Sequence, residues 1–220
     1  SVTDEWSQIF EWLDAVSEEP NYIEGDLKKM DMSLNGQLIR SSGRVLAGVA
    51  RGLGATETHC TMIKARVADL ASGIWDYQGD YIRIEANTSG NRLTVTTNNI
   101  AGVQIPHRYA YICLNHAKKH GLKGFPGREV MSKMSYDEAL SLVANFDNEV
   151  RLGSVGDDSI GKTSRKDFDM RWIQECYSDM ATQYTDARKS QSIMPFQIRE
   201  DLSFCKRQWR WNDFHNAWVS

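Results

Sequence analysis

Residues 165–187 read RKDFDMRWIQECYSDMATQYTDA. Phe168, Trp172, Ile173, Cys176, Tyr177, Met180 and Tyr184 recur at steps of three and four, which gives one long helix an apolar face and a charged one. The same period recurs upstream. Val2, Trp6, Ile9, Phe10, Leu13 and Val16 form a stripe over 2–17, opened by Thr3 with its following acids and closed by Pro20 and Gly25. Met62, Ile63, Val67, Leu70, Ala71 and Ile74 do the same over 58–75. Pro106 opens a helix to about His120, where Gly121 and Gly124 stop it. Ser135 caps a helix over 139–150. A weaker helical stretch, 26–51, is interrupted at Gly43 and Gly48, and 200–218 reads as a final Trp-rich helix.

One segment departs from this period. Tyr81-Ile82-Arg83-Ile84-Glu85-Ala86 alternates, Thr88-Ser89-Gly90-Asn91 turns, and Arg92-Leu93-Thr94-Val95-Thr96 alternates again, the pattern of a β-hairpin. A mainly α fold is therefore expected. It has a helical-bundle core over 26–220 with one β-hairpin, preceded by an N-terminal arm, 1–25, built on an amphipathic acidic helix.

Hydrophobic residues at 41% and charged residues at 25% give an ordinary globular balance. No apolar run approaches the ~20 residues that cross a bilayer, so no membrane partner is expected. The first residues have neither the basic start nor the apolar centre of a signal peptide. Cys60, Cys113, Cys176 and Cys205 share no framework spacing and read as buried free thiols of a reducing, intracellular compartment. A net charge of −3 excludes a polycation that holds nucleic acid by bulk charge. The charge is unevenly spread, however. Residues 1–19 carry six acids and no Lys or Arg, while 107–133 carry Arg108, Lys118, Lys119, Lys123, Arg128 and Lys133 against Glu129. These are either solvated faces of unlike sign or an acidic end that docks on a neighbour's basic surface through Trp6, Phe10 and Leu13.

Gly156-Asp157-Asp158-Ser159-Ile160-Gly161-Lys162-Thr163 satisfies the P-loop pattern, in which backbone N–H groups and Lys162 would cradle phosphates. No buried strand precedes it and no acidic strand follows, so a polar linker over 153–165 is the expected reading. Cys113, His116 and His120 share a helix face, but three ligands on one helix do not close a metal site. No nucleophile has a base beside it in a recognisable setting. An enzyme, a metal site and a cofactor are therefore not expected.

The most specific pattern begins at Arg171. Arg171-x-Ile173-x-x-x-Tyr177-Ser178-Asp179-x-Ala181-x-x-Tyr184-x-x-x-Arg188, followed by Met194-Pro195, Leu202 and Asp213-Phe214, resembles the core helix and following segment of potyvirus-type coat proteins. The likeness covers about a fifth of the chain. It implies a capsid protein of a flexible filamentous, positive-strand RNA virus, found in the virion and the host cytoplasm. Such a protein polymerises with copies of itself into a helical capsid around single-stranded RNA. That family grips RNA with an Arg, an Asp and a Ser. The Arg falls on Arg171 and the Asp on Asp213, while Ser141 and Ser154 are candidates for the Ser. A coat protein must hold any sequence, so it grips phosphate and ribose and leaves base edges unread. The alternatives are a soluble helical adaptor or regulatory protein and a P-loop nucleotide-binding protein.

Overall fold

A computed structural model of the chain describes residues 2–84, 93–190, 192–214 and 217–219. The first helix, α1 (Val2–Asp14), leads to a strand, β1 (Tyr22–Leu27), and a single turn, α2 (Met30–Ser33). A helical hairpin follows, α3 (Gly36–Gly52) and α4 (Glu57–Leu70), each opened by a side-chain cap: Asn35 accepts from the Leu38 N–H and Thr56 from the His59 N–H. Then come β2 (Gly73–Tyr77) and β3 (Asp80–Ile84). One turn, α5 (Thr94–Thr97), continues through a π-helical stretch, Asn98–Gln104, into α6 (Ile105–Lys119). Three short helices, α7 (Gly127–Met131), α8 (Tyr136–Val143) and α9 (Phe146–Glu149), precede β4 (Val150–Val155) and β5 (Asp158–Thr163). The chain ends with α10 (Met170–Asp179), the two-residue β6 (Tyr184–Thr185) and four short strands. These are β7 (Ser203–Phe204), β8 (Arg207–Gln208), β9 (Arg210–Asn212) and β10 (Ala217–Val219).

Helix accounts for 50% of the structure and strand for 18%, so helix predominates. The architecture is nevertheless mixed, because a four-stranded antiparallel sheet of order β4-β5-β1-β6 stands beside the helices, where a helical bundle with one β-hairpin is expected. β1 is its hub, pairing Tyr22 with Lys162 of β5 on one side and Leu27 with Tyr184 of β6 on the other. The main core joins Ile23 and Leu27 of β1 to Ala110, Tyr111 and Leu114 of α6, Ile173 and Tyr177 of α10, and Phe146 and Phe168. Tyr177 stacks on Tyr184 at 4.8 Å, and its hydroxyl donates to the Gly102 carbonyl at 2.6 Å. Gly25 admits no side chain, since a Cβ there would lie 2.0 Å from the Tyr184 ring. A second, smaller cluster gathers Phe10, Leu13, Tyr22, Ile160, Leu202, Phe204 and Trp209.

Several expectations are corrected. The 153–165 linker is the β4–β5 hairpin, closed by a two-residue turn at Gly156-Asp157 in which Gly156 has φ 66°. β3 pairs backwards with β2 through Gln78 and Gly79, both at positive φ, the signature of a type I′ turn, and 94–97 is helical. The turn expected at 88–91 lies outside the described residues. The long 165–187 helix is confined to Met170–Asp179, and left-handed Ala181 follows its end. The 200–218 segment makes β7–β10. α3 runs unbroken through Gly43 and Gly48. At Gly43 the missing side chain allows close approach, because a Cβ would sit 2.9 Å from the Val67 Cβ. Residue 25 lies within β1, and Phe10 and Leu13 of α1 share a buried cluster with Tyr22 and Ile160 of the sheet.

Candidate nucleic-acid interface

α10 begins where Asp169 accepts from the Trp172 N–H at 2.9 Å. Its inner face, Met170, Ile173, Cys176 and Tyr177, is buried. The register that buries those four leaves Arg171, Gln174 and Glu175 on the outer face. Across from them, Thr185, Asp186, Ser190, Ser192 and Ile193 complete a polar cleft of about 410 Å³. The Arg171 Nε donates to the Ile193 carbonyl at 3.4 Å, at the weak end of hydrogen bonding. A cation in the first turn of a helix opposes the helix dipole, so Arg171 is not placed there for the helix's own stability. Asp186 is buried and accepts from the Ser190 N–H at 2.7 Å, which fixes the far wall.

The other residues singled out by the resemblance lie elsewhere. Asp213 is exposed in the turn between β9 and β10, beside Phe214, which is 90% exposed. Ser141 is exposed on α8, and Ser154 sits on β4 opposite Ser159. The four occupy four different elements, and none of the other three lines the Arg171 cleft. Of the proposed subunit-contact residues, Phe10 packs edge-on against Trp209 at 5.0 Å and Leu13 is fully buried. The Trp6 side chain lies outside what the structure describes.

The P-loop pattern has no loop to work with. Lys162 stands on β5 with its side chain 3% exposed, its Nζ donating to Asp14 at 2.7 Å and lying 4.7 Å from the Tyr22 ring centre. Arg199 reaches the same Asp14 and the Tyr22 hydroxyl. Burial pushes the Asp14 carboxyl up, but Lys162, Tyr22 and Arg199 together hold it below its ordinary value. Burial and the adjoining carboxylate push Tyr22 up to about 12. The cluster ties α1, the sheet and the 197–202 segment together, and its members are up to 185 positions apart, so no local motif announces it.

The basic stretch 107–133 is largely paired within the chain. Arg108 meets Asp147, Lys118 meets Asp167, Lys119 meets Glu138 and Arg128 meets Asp179. Cys113 turns into the core, where burial pushes its thiol up to about 12, away from the outward His120. Sequence reading missed Glu138, which stands beside both His116 and His120.

Exposed apolar residues also lie on α3, α4 and the β2–β3 hairpin. Val45 and Val49 of α3 and Leu53 just past its end are spaced by four and exposed, Leu53 at 85%. Met62 of α4, Ile74 of β2, and Tyr81 and Ile82 of β3 are exposed as well. Arg44 of α3 and Lys64 and Arg66 of α4 are exposed too. On α1 the exposed residues are of opposite sign, Glu11 together with Trp12, followed by Glu18 and Glu19.

No protein-family model matches the chain, and no curated protein matches it in sequence. No described helix is long and apolar enough to cross a membrane.

Proposed function

We propose that the chain is a non-enzymatic coat protein that polymerises around single-stranded RNA, working in the host cytoplasm and the virion. The observation that carries this reading is the exposure of large apolar residues on α3, α4 and the β2–β3 hairpin, among them Val49, Leu53, Met62 and Ile74. Large apolar patches on folded chains mark interaction surfaces. Arg44, Lys64 and Arg66 are exposed on the same two helices, α3 and α4, while α1 exposes Glu11 and Trp12 and the segment after it exposes Glu18 and Glu19. Two unlike surfaces on one chain that fit each other give a head-to-tail contact, which extends into a filament when it does not close into a ring. RNA is assigned to the Arg171 cleft. Its guanidinium presents a fork of donors suited to phosphate, and Gln174, Ser190 and Ser192 add uncharged polar groups. The resemblance that begins at Arg171 supports the same assignment.

Negative-stain microscopy of the purified chain, with absorbance at 260 and 280 nm, tests both halves. The expected result is flexible filaments that carry nucleic acid. Arg171→Ala should keep the fold and lose the RNA, read as loss of nuclease-protected nucleic acid. Small particles free of nucleic acid would reject the coat reading and favour the adaptor. RNA-filled filaments from Arg171→Ala would reject the assignment of the cleft.

A further inference from the structure

We infer that His116, His120 and Glu138 form a binding site for a divalent transition-metal ion of the zinc class that clamps α8 to α6. The inference is independent of the RNA reading. His116 and His120 lie one turn apart near the C-terminal end of α6, with ring centres 4.3 Å apart. Glu138 comes from the first turn of α8, where the Ser135 side chain caps its N–H. One ligand atom from each residue lies within 4.8 Å of the others. Zinc held at 2.0–2.1 Å in tetrahedral geometry wants ligands roughly 3.4 Å apart, so small side-chain rotations close the site. Two imidazoles and one carboxylate are a donor set that zinc and its borderline neighbours favour, with a fourth position left for water.

Two further observations favour a metal over a simple charge cluster. The His116 Nδ1 is buried and has no hydrogen-bond partner, although buried ring nitrogens are ordinarily satisfied. α8 is an eight-residue helix with no buried residue, so little apolar packing holds it down. One tie to α6 is the Asn115 side chain donating to the Leu142 carbonyl. A metal would add a stronger tie than this hydrogen bond and the half-exposed Lys119–Glu138 ion pair supply. Lys119 now donates to Glu138 at 2.9 Å, but its side chain is 54% exposed and can swing into solvent when the ion enters. Cys113, on the same helix, points into the core and takes no part.

Calorimetric titration of the intact chain with zinc chloride at neutral pH tests the site, together with thermal unfolding and the absorption spectrum of the cobalt(II) form. The expected result is one ion per chain, a raised unfolding temperature and a cobalt spectrum without a sulfur charge-transfer band. His120→Ala and Glu138→Gln alter solvent-accessible side chains and should leave the fold intact, while each weakens binding by about tenfold or more. No binding at millimolar zinc would overturn the inference. So would binding unchanged in both variants, or a cobalt–thiolate band, which would move the ion to a cysteine.

Discussion

α10 and α3 are both amphipathic helices, and they use their apolar residues in opposite ways. α10 buries Met170, Ile173, Cys176 and Tyr177 within ten residues, locked by the Tyr177–Tyr184 stack. α3 is longer, yet its buried residues stop at Ala47, and the Val45–Val49–Leu53 stripe faces away from its own core. Its partner α4 buries only Cys60 and Val67. A sequence period shows that a helix has an apolar face, but it does not show whether that face meets the same chain or another one. In α10 the apolar residues are used within the chain. In the α3–α4 lobe a large share of them is left outside.

The strongest way to break this contrast is in the body. Phe146 is 1% exposed and sits edge-on to Tyr111 at 5.3 Å with the Arg108 guanidinium over its ring. Phe146→Ala should cost about 3–5 kcal/mol, read from the urea midpoint. A loss below 1 kcal/mol would mean that the body is no better packed than the lobe.

A somewhat smaller effect comes from Glu24, fully buried on β1, whose carboxylate accepts from the Ser203 N–H at 2.6 Å. Burial, with Asp186 adding to it, raises its pKa to about 7 from an ordinary 4.5. The folded chain therefore keeps a proton that the unfolded chain gives up. The associated stability is fully present below about pH 4.5 and is lost as the pH rises through 7. Its size is on the order of 3 kcal/mol. Unfolding midpoints at pH 5 and pH 8 should differ in that direction, and Glu24→Gln should flatten the difference.

The smallest effect on folding is expected in the lobe. Leu53→Ser should change stability by no more than about 0.5 kcal/mol, while sedimentation shows weaker self-association. Unfolding of Leu53→Ser as severe as that of Phe146→Ala would place Leu53 in a core and erase the contrast.

Local chemistry explains which elements were legible. α1 and α6 follow caps and periods that act within a few residues and fall close to their expected places. The helix expected over 58–75 instead ends at Leu70 before β2, and the one expected over 139–150 is cut to Tyr136–Val143, a separate turn at Phe146–Glu149 and the start of β4. β5 was not legible locally, because Ser159, Gly161, Lys162 and Thr163 look like a linker and become a buried strand only through β1, far away in sequence. The 165–187 period continues beyond Asp179, but left-handed Ala181 ends the helix, and Tyr184 joins β1 as a strand. Site residues follow the same rule. His116 and His120 were visible as a pair, whereas Glu138 is brought to them only by the packing of α8 on α6. Arg171 was singled out by its pattern, and the polar wall opposite it, 185–193, was legible only in three dimensions.

The hub position of β1 has a consequence for how the chain is made. Tyr22 must wait for Lys162, 140 residues later, before it can pair. At translation speeds of 5–20 residues per second, that wait is roughly 7 to 28 seconds. During it β1 leaves the ribosome with both edges bare, a strand open to mispairing with any neighbour. The α3–α4 hairpin needs only residues close to it and can form early. That hairpin is thus able to take shape before the sheet, whose β1 pairings wait for residues 159–162 and 184–185.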